Sequence, residues 1–241
     1  MKVGVLGAKG RMGATVCAAV EAETDLELVA RIDQDEPLED LLANGAEVAV
    51  DFTTPDVVKD NIRFCLENEI HVVVGTTGFE ESDFDEVRKW AEAGPANAFI
   101  APNFALGAVL MMKFAAEAAA FFSNAEIIER HQEKKLDAPS GTAQRTAHLM
   151  NEARGRAWDE VTRGRGEEFR GGDESGLRIH SVRVPGSVAH QEVILGNAGE
   201  TLTIRHDSID RASFMPGVVL AVKKVASLDG CVVGLEHLLD L

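Results

Sequence analysis

The 241-residue chain is poor in cysteine, and it contains no tyrosine. Its three cysteines, Cys17, Cys65 and Cys231, are far apart and form no CxxC pair, so neither a disulfide framework nor a zinc site is expected. Idle thiols are typical of a reducing compartment, and we therefore predict a cytoplasmic location. The lack of tyrosine excludes a tyrosine as catalytic acid.

Long apolar runs and an excess of basic residues are also missing. No apolar run reaches the roughly 18 residues that a membrane-spanning helix needs, and the N-terminus enters a predicted strand rather than a signal peptide. Lys and Arg number 24 against 40 Asp and Glu, which gives a net charge of −16. Such acidity disfavours nucleic acids and anionic membranes as partners, and an anionic substrate would need a local basic pocket.

What the chain does contain, in its first hundred residues, is a repeated alternation of apolar runs and amphipathic stretches. Helices are predicted over 14–20 and 80–93, and Pro55 suits the first turn of another. Buried strands are predicted over 3–6, 26–32, 48–52, 71–74 and 98–101. This βα alternation predicts an α/β fold with a Rossmann-like parallel sheet.

The pattern changes after residue 102. A helix over 107–122, a short strand over 125–129 and a helix over 141–153 are followed by a glycine-rich and charged loop over 154–176. Alternating runs then predict antiparallel strands over 178–184, 188–195 and 201–205, before a last helix over 213–226. We therefore predict a first domain of residues 1–105 and 216–241, and a second α+β domain, 106–215, with an open, largely antiparallel sheet.

A glycine-rich loop with GxxGxxG spacing lies between the first predicted strand and the first helix. Its spacing differs from the common GxGxxG, but it allows the same tight turn, close approach to a pyrophosphate and close helix–strand packing. The helix N-terminus adds N–H groups and partial positive charge. A turn in an unrelated α/β fold is the alternative. We predict dinucleotide binding by Gly7, Ala8, Lys9, Gly10, Arg11 and Met12.

Asp33 ends the second predicted strand, where a carboxylate can accept hydrogen bonds from the adenosine ribose. An exposed turn aspartate is the alternative explanation. The same carboxylate would repel the 2′-phosphate of NADP, although Lys9 and Arg11 could offset that repulsion. We therefore expect NADH to be used at least as well as NADPH.

Three further segments follow predicted strands, at the sheet edge where open α/β proteins bind ligands. They bring small residues, hydroxyls and an amide to the expected path of a nicotinamide. Each alone is typical of a simple turn, and it is their shared edge that favours a role in cofactor binding. The predicted residues are Phe52, Gly75, Thr76, Thr77, Ala101, Pro102, Asn103 and Phe104.

The most informative stretch is 129–143, ERHQEKKLDAPSGTA. It places His131 and several cations in a loop before a helix start with capping residues. Lys135 would neutralise an anionic substrate or donate a proton. A solvated charged loop is an equally weighted alternative on these residues alone. A substrate carboxylate would be bound by N–H groups at the helix start, Ser140, Gly141 and Thr142.

This stretch resembles the signature of dihydrodipicolinate reductases, E-x-H-H-x-x-K-x-D-A-P-S-G-T-A. The loop GAKGRMG, the sequence GTTGF at 75–79 and APNF at 101–104 also match that family, as does the element order over essentially the whole chain. The resemblance is closest to the shorter, actinobacterial-type members. It implies reduction of a small cyclic dicarboxylate, the product of dihydrodipicolinate synthase, to tetrahydrodipicolinate on the route to diaminopimelate and lysine.

The resemblance also implies residue roles and assembly. Lys135 matches the family's proton donor and His131 its proton donor or acceptor, while Gly141 and Thr142 match residues that bind the substrate carboxylate. Gln132 stands where the family usually has a second substrate-contacting histidine; it can still donate a hydrogen bond, but it carries no charge. A homotetramer formed through the second domain is implied as well.

Two other functions remain open on the residues alone. One is a different nicotinamide enzyme, such as an amino-acid dehydrogenase, and the other is a non-catalytic NADH sensor. No metal constellation is visible. The polar cluster after the last predicted strand is interpreted as a salt-bridged turn rather than a site, and it comprises His206, Asp207, Asp210 and Arg211.

Overall fold

The computed structural model describes residues 1–159 and 166–239. The chain forms two compact units. The first unit comprises Met1–Leu106 and Phe214–Leu241, and the second comprises Gly107–Ser213.

The elements alternate regularly in the first half of the chain and less so in the second. The strands are β1 (Lys2–Leu6), β2 (Glu27–Ile32), β3 (Val48–Asp51), β4 (His71–Val74), β5 (Ala98–Ile100), β6 (Asn124–His131), β7 (Gly172–Glu174), β8 (Leu177–Arg183), β9 (Ala189–Asn197), β10 (Glu200–Ser208) and β11 (Cys231–Val233). The helices are α1 (Arg11–Ala22), α2 (Glu39–Ala43), α3 (Pro55–Glu67), α4 (Glu81–Glu92), α5 (Leu106–Ala119), α6 (Gly141–Arg154) and α7 (Met215–Lys224).

The first unit contains a six-stranded parallel sheet with the order β11-β5-β4-β3-β1-β2. Its central strand β3 is buried throughout, as is typical of a parallel strand covered on both faces. The predicted parallel sheet is thus confirmed. The apolar tail of the chain supplies β11, an edge strand too short for its three residues to show a period in the sequence.

The second unit contains a five-stranded mixed sheet with the order β10-β9-β6-β8-β7. All of its pairings are antiparallel except that of β6 with β8, so the prediction of a largely antiparallel sheet is confirmed. One face packs on α5 and α6 through small side chains such as Ala115, Ala119, Ala143 and Ala147. On the opposite face Ile128 and Val182 remain exposed.

Several element boundaries differ from those predicted. The structure extends β6 to His131, which was predicted in a loop, because β6 pairs there with Arg183 of β8 and Ala189 of β9. Pairing with β9 likewise keeps His206 and Asp207 within β10, not in a turn after it. Part of the predicted 154–176 loop forms a short 3₁₀ turn and β7, and residues 160–165 lie outside the described residues.

The structure also gives the surroundings of the three cysteines and allows a search for membrane-spanning helices and metal-ligand groups. Cys17, Cys65 and Cys231 are free thiols, and burial raises the pKa of Cys65 to about 12 and of Cys231 to about 11. In residues 1–159 and 166–239, no helix combines the length and apolarity needed to cross a bilayer, and no acidic, histidine and cysteine side chains group as metal ligands would.

Candidate active site

The glycine-rich loop makes a tight connection between β1 and α1. Gly7 has a φ of +76°, and a Cβ there would lie 2.6 Å from the carbonyl oxygen of Phe52. A Cβ at Gly13 would collide with the carbonyl oxygen of Gly7, so the helix lies close against the loop. No side chain among the described residues caps α1. Its first N–H groups are therefore available to an anion, as a pyrophosphate site requires.

Asp33 follows β2 and faces the same loop. Its carboxylate accepts hydrogen bonds from the backbone N–H groups of Lys9, at 2.8 Å, and Gln34, at 3.0 Å, and these bonds lower the pKa of Asp33. The ammonium group of Lys9 lies 2.6 Å from Glu36, whose other oxygen accepts from the N–H of Asp33 at 2.9 Å. The positive charge of Lys9, which was expected to offset the repulsion of a 2′-phosphate by Asp33, is therefore already paired with Glu36.

A cavity of about 500 Å³ lies between these elements, and its walls include Gly7, Gly10, Asp33, Glu36 and Phe52. It combines a backbone cradle that side chains would fill, an uncapped helix N-terminus and a carboxylate placed for ribose hydroxyls. These features fit the adenosine half and pyrophosphate of a dinucleotide. Of the remaining predicted loop residues, Ala8 is buried and Arg11 is exposed.

The sheet edge beside this cavity is organised by Asp51, a fully buried carboxylate at the end of β3. It accepts hydrogen bonds from the Thr53 hydroxyl at 2.7 Å, the Thr76 hydroxyl at 2.8 Å and the Asn61 amide at 2.8 Å. The Thr76 hydroxyl, predicted to face the cofactor, is thus tied to Asp51. This network holds the turns after β3 and β4 together.

The predicted sheet-edge residues differ in their surroundings. A Cβ at Gly75 would collide with the ring of Phe52, and Phe52 packs on Phe104 with a centroid distance of 5.8 Å. Phe104 and Ala101 are buried, whereas Thr77 and Pro102 are exposed, and Asn103 accepts a hydrogen bond from the N–H of Ala105 at 2.9 Å. The segments 75–77 and 101–104 lie outside the walls of the cavity described above.

In the second unit, the end of β6 carries the residues predicted to do the chemistry. Glu129 is fully buried, and its Oε2 lies 2.5 Å from Nδ1 of His131. Arg183 binds both carboxylate oxygens, at 2.9 and 2.8 Å. Burial alone would raise the pKa of Glu129, but the hydrogen bonds from His131 and Arg183 outweigh it and lower the pKa to about 2.

The loop after β6 is fastened to the same arginine. Nη2 of Arg183 also donates a hydrogen bond, at 2.7 Å, to the backbone carbonyl of Asp137. The carboxylate of Asp137 lies 2.7 Å from the ammonium group of Lys135, whose hydrogen bond lowers the pKa of Asp137. Gln132 is half-buried, and its side chain has no hydrogen-bond partner within the part of the chain that the structure describes. His131, Lys135 and Gln132 are therefore held on one short, anchored segment.

Helix α6 begins at the end of this loop. The hydroxyl of Ser140 accepts from the N–H of Ala143 at 3.3 Å, as predicted for a capping residue. The backbone N–H of Ser140 already donates to Glu129 at 3.3 Å, so the prediction that it would be available to substrate is corrected. Among the described residues, a Cβ at Gly141 would meet no atom within 4 Å beyond its chain neighbours and its own helix backbone, so there is open space beside the first residue of the helix. Thr142 follows in the first turn.

Sequence reasoning missed the residues that fix the site from behind. Glu129 stood within the quoted motif, and its position two residues before His131 on a strand was the signal that both side chains share a face. Arg183 gave no signal, since it lies 54 residues away and meets Glu129 only through the pairing of β6 with β8. Glu36 and Asp51 were likewise not singled out.

The parallel sheet with its glycine-rich loop, joined to a second unit bearing a histidine and lysine site, defines a two-domain, nucleotide-binding oxidoreductase. Comparison with known proteins identifies the family to which this oxidoreductase belongs. Residues 1–104 match the family described as "Dihydrodipicolinate reductase, N-terminus", and residues 107–239 match "Dihydrodipicolinate reductase, C-terminus". The chain belongs to the dihydrodipicolinate reductase family, and the fold and family together imply a nicotinamide cofactor.

Relatives support this assignment over the full length of the chain. It is 55% identical over 246 residues to a 4-hydroxy-tetrahydrodipicolinate reductase of Nocardia farcinica, covering 100% of this chain and 99% of the relative. It is 54% identical to the enzyme of the same name from Mycolicibacterium smegmatis, covering 100% of both chains. The predicted enzyme class and the predicted resemblance are therefore confirmed.

Solved structures agree with the fold. A dipicolinate-bound dihydrodipicolinate reductase from Paenisporosarcina sp. TG-14 superposes with a TM-score of 0.90 at 38% identity, over 99% of both chains. GenD2 of gentamicin A biosynthesis, in complex with NAD, has a TM-score of 0.61 at 12% identity, over 93% of this chain and 86% of GenD2. The second likeness concerns the fold alone.

Proposed function

We propose that the chain reduces the cyclic dicarboxylate formed by dihydrodipicolinate synthase to tetrahydrodipicolinate, in the cytoplasmic route to diaminopimelate and lysine. The observation that carries this proposal is the anchored segment from His131 to Gly141, which combines an acid–base pair with a helix N-terminus. A nicotinamide cofactor held by the glycine-rich loop and Asp33 would supply a hydride to the conjugated C=C–C=N unit of the ring. The electron-rich ring then needs a proton, and the side chains of the second unit provide it.

Lys135 is the proton donor in this proposal. Its ammonium group lies 2.7 Å from the carboxylate of Asp137, and that pairing is consistent with the charged, proton-bearing form. An incoming substrate carboxylate would compete with Asp137 for the same ammonium group. His131, on the same segment as Lys135, exchanges a proton with the substrate. Arg183 binds both Glu129, the partner of His131, and the backbone of Asp137, the partner of Lys135, so the two groups stay close to fixed positions.

The substrate carboxylates bind at the start of α6 and along the loop. Open space beside Gly141 and the positive end of the helix dipole support carboxylate binding at Gly141 and Thr142. Ser140 contributes by shaping this helix start through its capping hydroxyl. Gln132 donates a neutral hydrogen bond to the substrate at the position where the family motif usually has a second histidine.

The first unit binds the cofactor through its glycine-rich loop and Asp33, with NADH used at least as well as NADPH. Support comes from the pairing of Lys9 with Glu36, because a lysine already neutralised is a weaker partner for a 2′-phosphate. The carboxylates of Asp33 and Glu36 both line the cavity where that phosphate would lie. The nicotinamide end follows the sheet edge at Phe52, Gly75, Thr76, Thr77 and residues 101–104.

The second unit also mediates assembly into a homotetramer. On the face of its sheet opposite α5 and α6, Ile128 and Val182 are 37% and 40% exposed. Arg130 lies on β6, and within residues 1–159 and 166–239 its buried Nε has no hydrogen-bond partner. A second copy packed on this face would cover the apolar side chains. The mass of the purified protein in solution, measured by light scattering, tests this proposal.

The reaction is tested by following NADH absorbance in the presence of the synthase and its substrates. We expect NADH oxidation that depends on the synthase product. Oxidation with an amino or keto acid instead would indicate a different dehydrogenase. Tight NADH binding without turnover on any of these compounds would indicate a sensor, and either result would overturn the proposal.

A further inference from the structure

We infer that Glu129 is a positioning residue that holds His131 in the Nδ1–H tautomer, so that Nε2 is the ring nitrogen that exchanges a proton with the substrate. This inference deepens the proposed function and rests on the role given there to His131. No residue role assigned from the family motif includes Glu129 or Arg183.

The first argument is the contact itself. Glu129 Oε2 lies 2.5 Å from Nδ1 of His131, and the carboxylate is completely buried. A carboxylate whose pKa lies near 2 is ionised at neutral pH and can only accept hydrogen bonds. Nδ1 must therefore carry the hydrogen, and in the neutral ring Nε2 is left as the acceptor.

The second argument is that Glu129 cannot turn away from His131. Arg183 binds its two oxygens with two nitrogens, at 2.9 and 2.8 Å, and the N–H of Ser140 approaches Oε1 at 3.3 Å. A planar guanidinium fixes the plane of the carboxylate that it binds in this bidentate way. The orientation of the imidazole is thus set by a side chain that is itself held from two sides.

A carboxylate that orients a catalytic histidine and selects its tautomer is a known catalytic device. A purely structural explanation also exists, because a buried glutamate and arginine would stabilise the sheet without affecting His131. The two explanations differ in what happens when the charge of Glu129 is removed. In Glu129→Gln, Nη2 of Arg183 and the N–H of Ser140 both need an acceptor at the Oε1 position, so the amide NH₂ would take the Oε2 position, face His131 and donate to Nδ1. The imidazole would then be forced into the Nε2–H tautomer.

The chain contains its own control for this substitution. Glu126, three residues earlier on β6, also accepts from a histidine and an arginine: from His180 at 2.8 Å and from Arg170 at 2.8 Å. Glu126→Gln therefore removes the same charge from the same kind of triad outside the proposed site. The Glu126 side chain is 36% exposed whereas Glu129 is fully buried, so Glu126→Gln controls for the loss of the charge, and the free energy of unfolding of both variants is measured beside kcat.

The test has a spectroscopic and a kinetic part. The ¹⁵N NMR signals of the His131 ring, assigned with His131→Gln, should show the Nδ1–H tautomer in the wild type and the Nε2–H tautomer in Glu129→Gln. By analogy with a triad in which the tautomer is reversed, kcat of Glu129→Gln should fall by about 100-fold or more. Glu126→Gln should keep kcat within about 2-fold, because it lies outside the site.

A double-mutant cycle separates action through His131 from general support of the fold. If Glu129 acts through His131, Glu129→Gln should change kcat by less than about 2-fold in a His131→Gln background. An equal loss in both backgrounds would overturn the inference, as would an Nε2–H tautomer in the wild type. The wild-type spectrum decides even if Glu129→Gln does not fold. A wild type that is inactive on the synthase product would instead contradict the proposed function. The tautomer of His131 is measured without turnover, so that result is independent of the activity.

Discussion

The ammonium group of Lys9 lies 2.6 Å from the carboxylate of Glu36, and Glu36 lines the cavity proposed to hold the cofactor. Glu36 is in turn fixed by the backbone N–H of Asp33, at 2.9 Å. The hydrogen bond between Lys9 and Glu36 lowers the pKa of Glu36 and raises the pKa of Lys9. Both groups are thus charged at neutral pH, and the lysine is engaged before any cofactor arrives.

Glu36→Gln should release Lys9 toward a 2′-phosphate. Because exposed ion pairs contribute no more than about 1 kcal/mol, we expect kcat/KM for NADPH to rise about 5-fold while that for NADH changes little. Glu39→Gln, at the start of α2, removes the same charge nearby and serves as the control. Kinetics with both cofactors measure the effect. An unchanged ratio of the two kcat/KM values would show that Glu36 does not influence the choice.

Lys135→Ala should abolish the proposed proton donation. We expect kcat to fall by at least about 100-fold, the contribution typical of a lost general acid, with the affinity for NADH unchanged. Lys134→Ala is the matched control, since Lys134 is exposed and adjacent. Steady-state kinetics and NADH titration distinguish the two variants. Near-normal turnover of Lys135→Ala would remove this residue from its proposed role.

Gln132→His should restore the histidine that the family motif usually carries. A charged donor binds a carboxylate more strongly than a neutral amide, by about 1 kcal/mol, so the substrate KM should fall about 5-fold below the pKa of the new histidine. Glu133→His, at the next exposed position, is the control. If the substrate KM of Gln132→His is the same as that of the wild type across this pH range, the position does not contact the substrate.

The buried Glu129 should make stability depend on pH in acid. Its pKa of about 2 lies below the ordinary value of 4.5, so its ionic contacts stabilise the fold fully above pH 4.5 and are lost as the pH falls toward 2. The loss amounts to something on the order of 3 kcal/mol across that window. Urea unfolding midpoints should therefore fall more steeply with acidification in the wild type than in Glu129→Gln. Parallel curves for the two proteins would contradict this assignment.

The sequence was a good guide wherever a local pattern carries the information. The glycine-rich loop, its helix and the apolar strands of the first unit follow from short-range periodicity, and β4 occupies the predicted residues. Ser140 caps α6 because capping depends on a contact only three residues long. The end of β6 was misplaced because the strand is prolonged by its neighbours: His131 stays extended only through pairing with β8 and β9.

The sequence did not predict the contacts that support the site, because these contacts also join residues far apart along the chain. Which nitrogen of His131 carries the proton depends on Glu129, and the orientation of Glu129 depends on Arg183, far along the chain. The state of Lys9 depends on Glu36, which reaches it across the gap between β1 and the turn after β2. Motif positions can suggest which residues react, but their charges and hydrogen-bond partners are set by tertiary contacts that no local pattern encodes.

The proposed function requires that hydride pass from the nicotinamide to the ring of a cyclic dicarboxylate. Mass spectrometry can follow this transfer when the synthase product is reduced with NADH that is deuterated at the transferring position of its nicotinamide ring. We expect one deuterium on a ring carbon of tetrahydrodipicolinate for each NADH consumed. In Lys135→Ala, deuterium should appear in the product only in proportion to the residual turnover. NADH oxidation without deuterium in the dicarboxylate, or no reduced dicarboxylate at all, would contradict the proposed function.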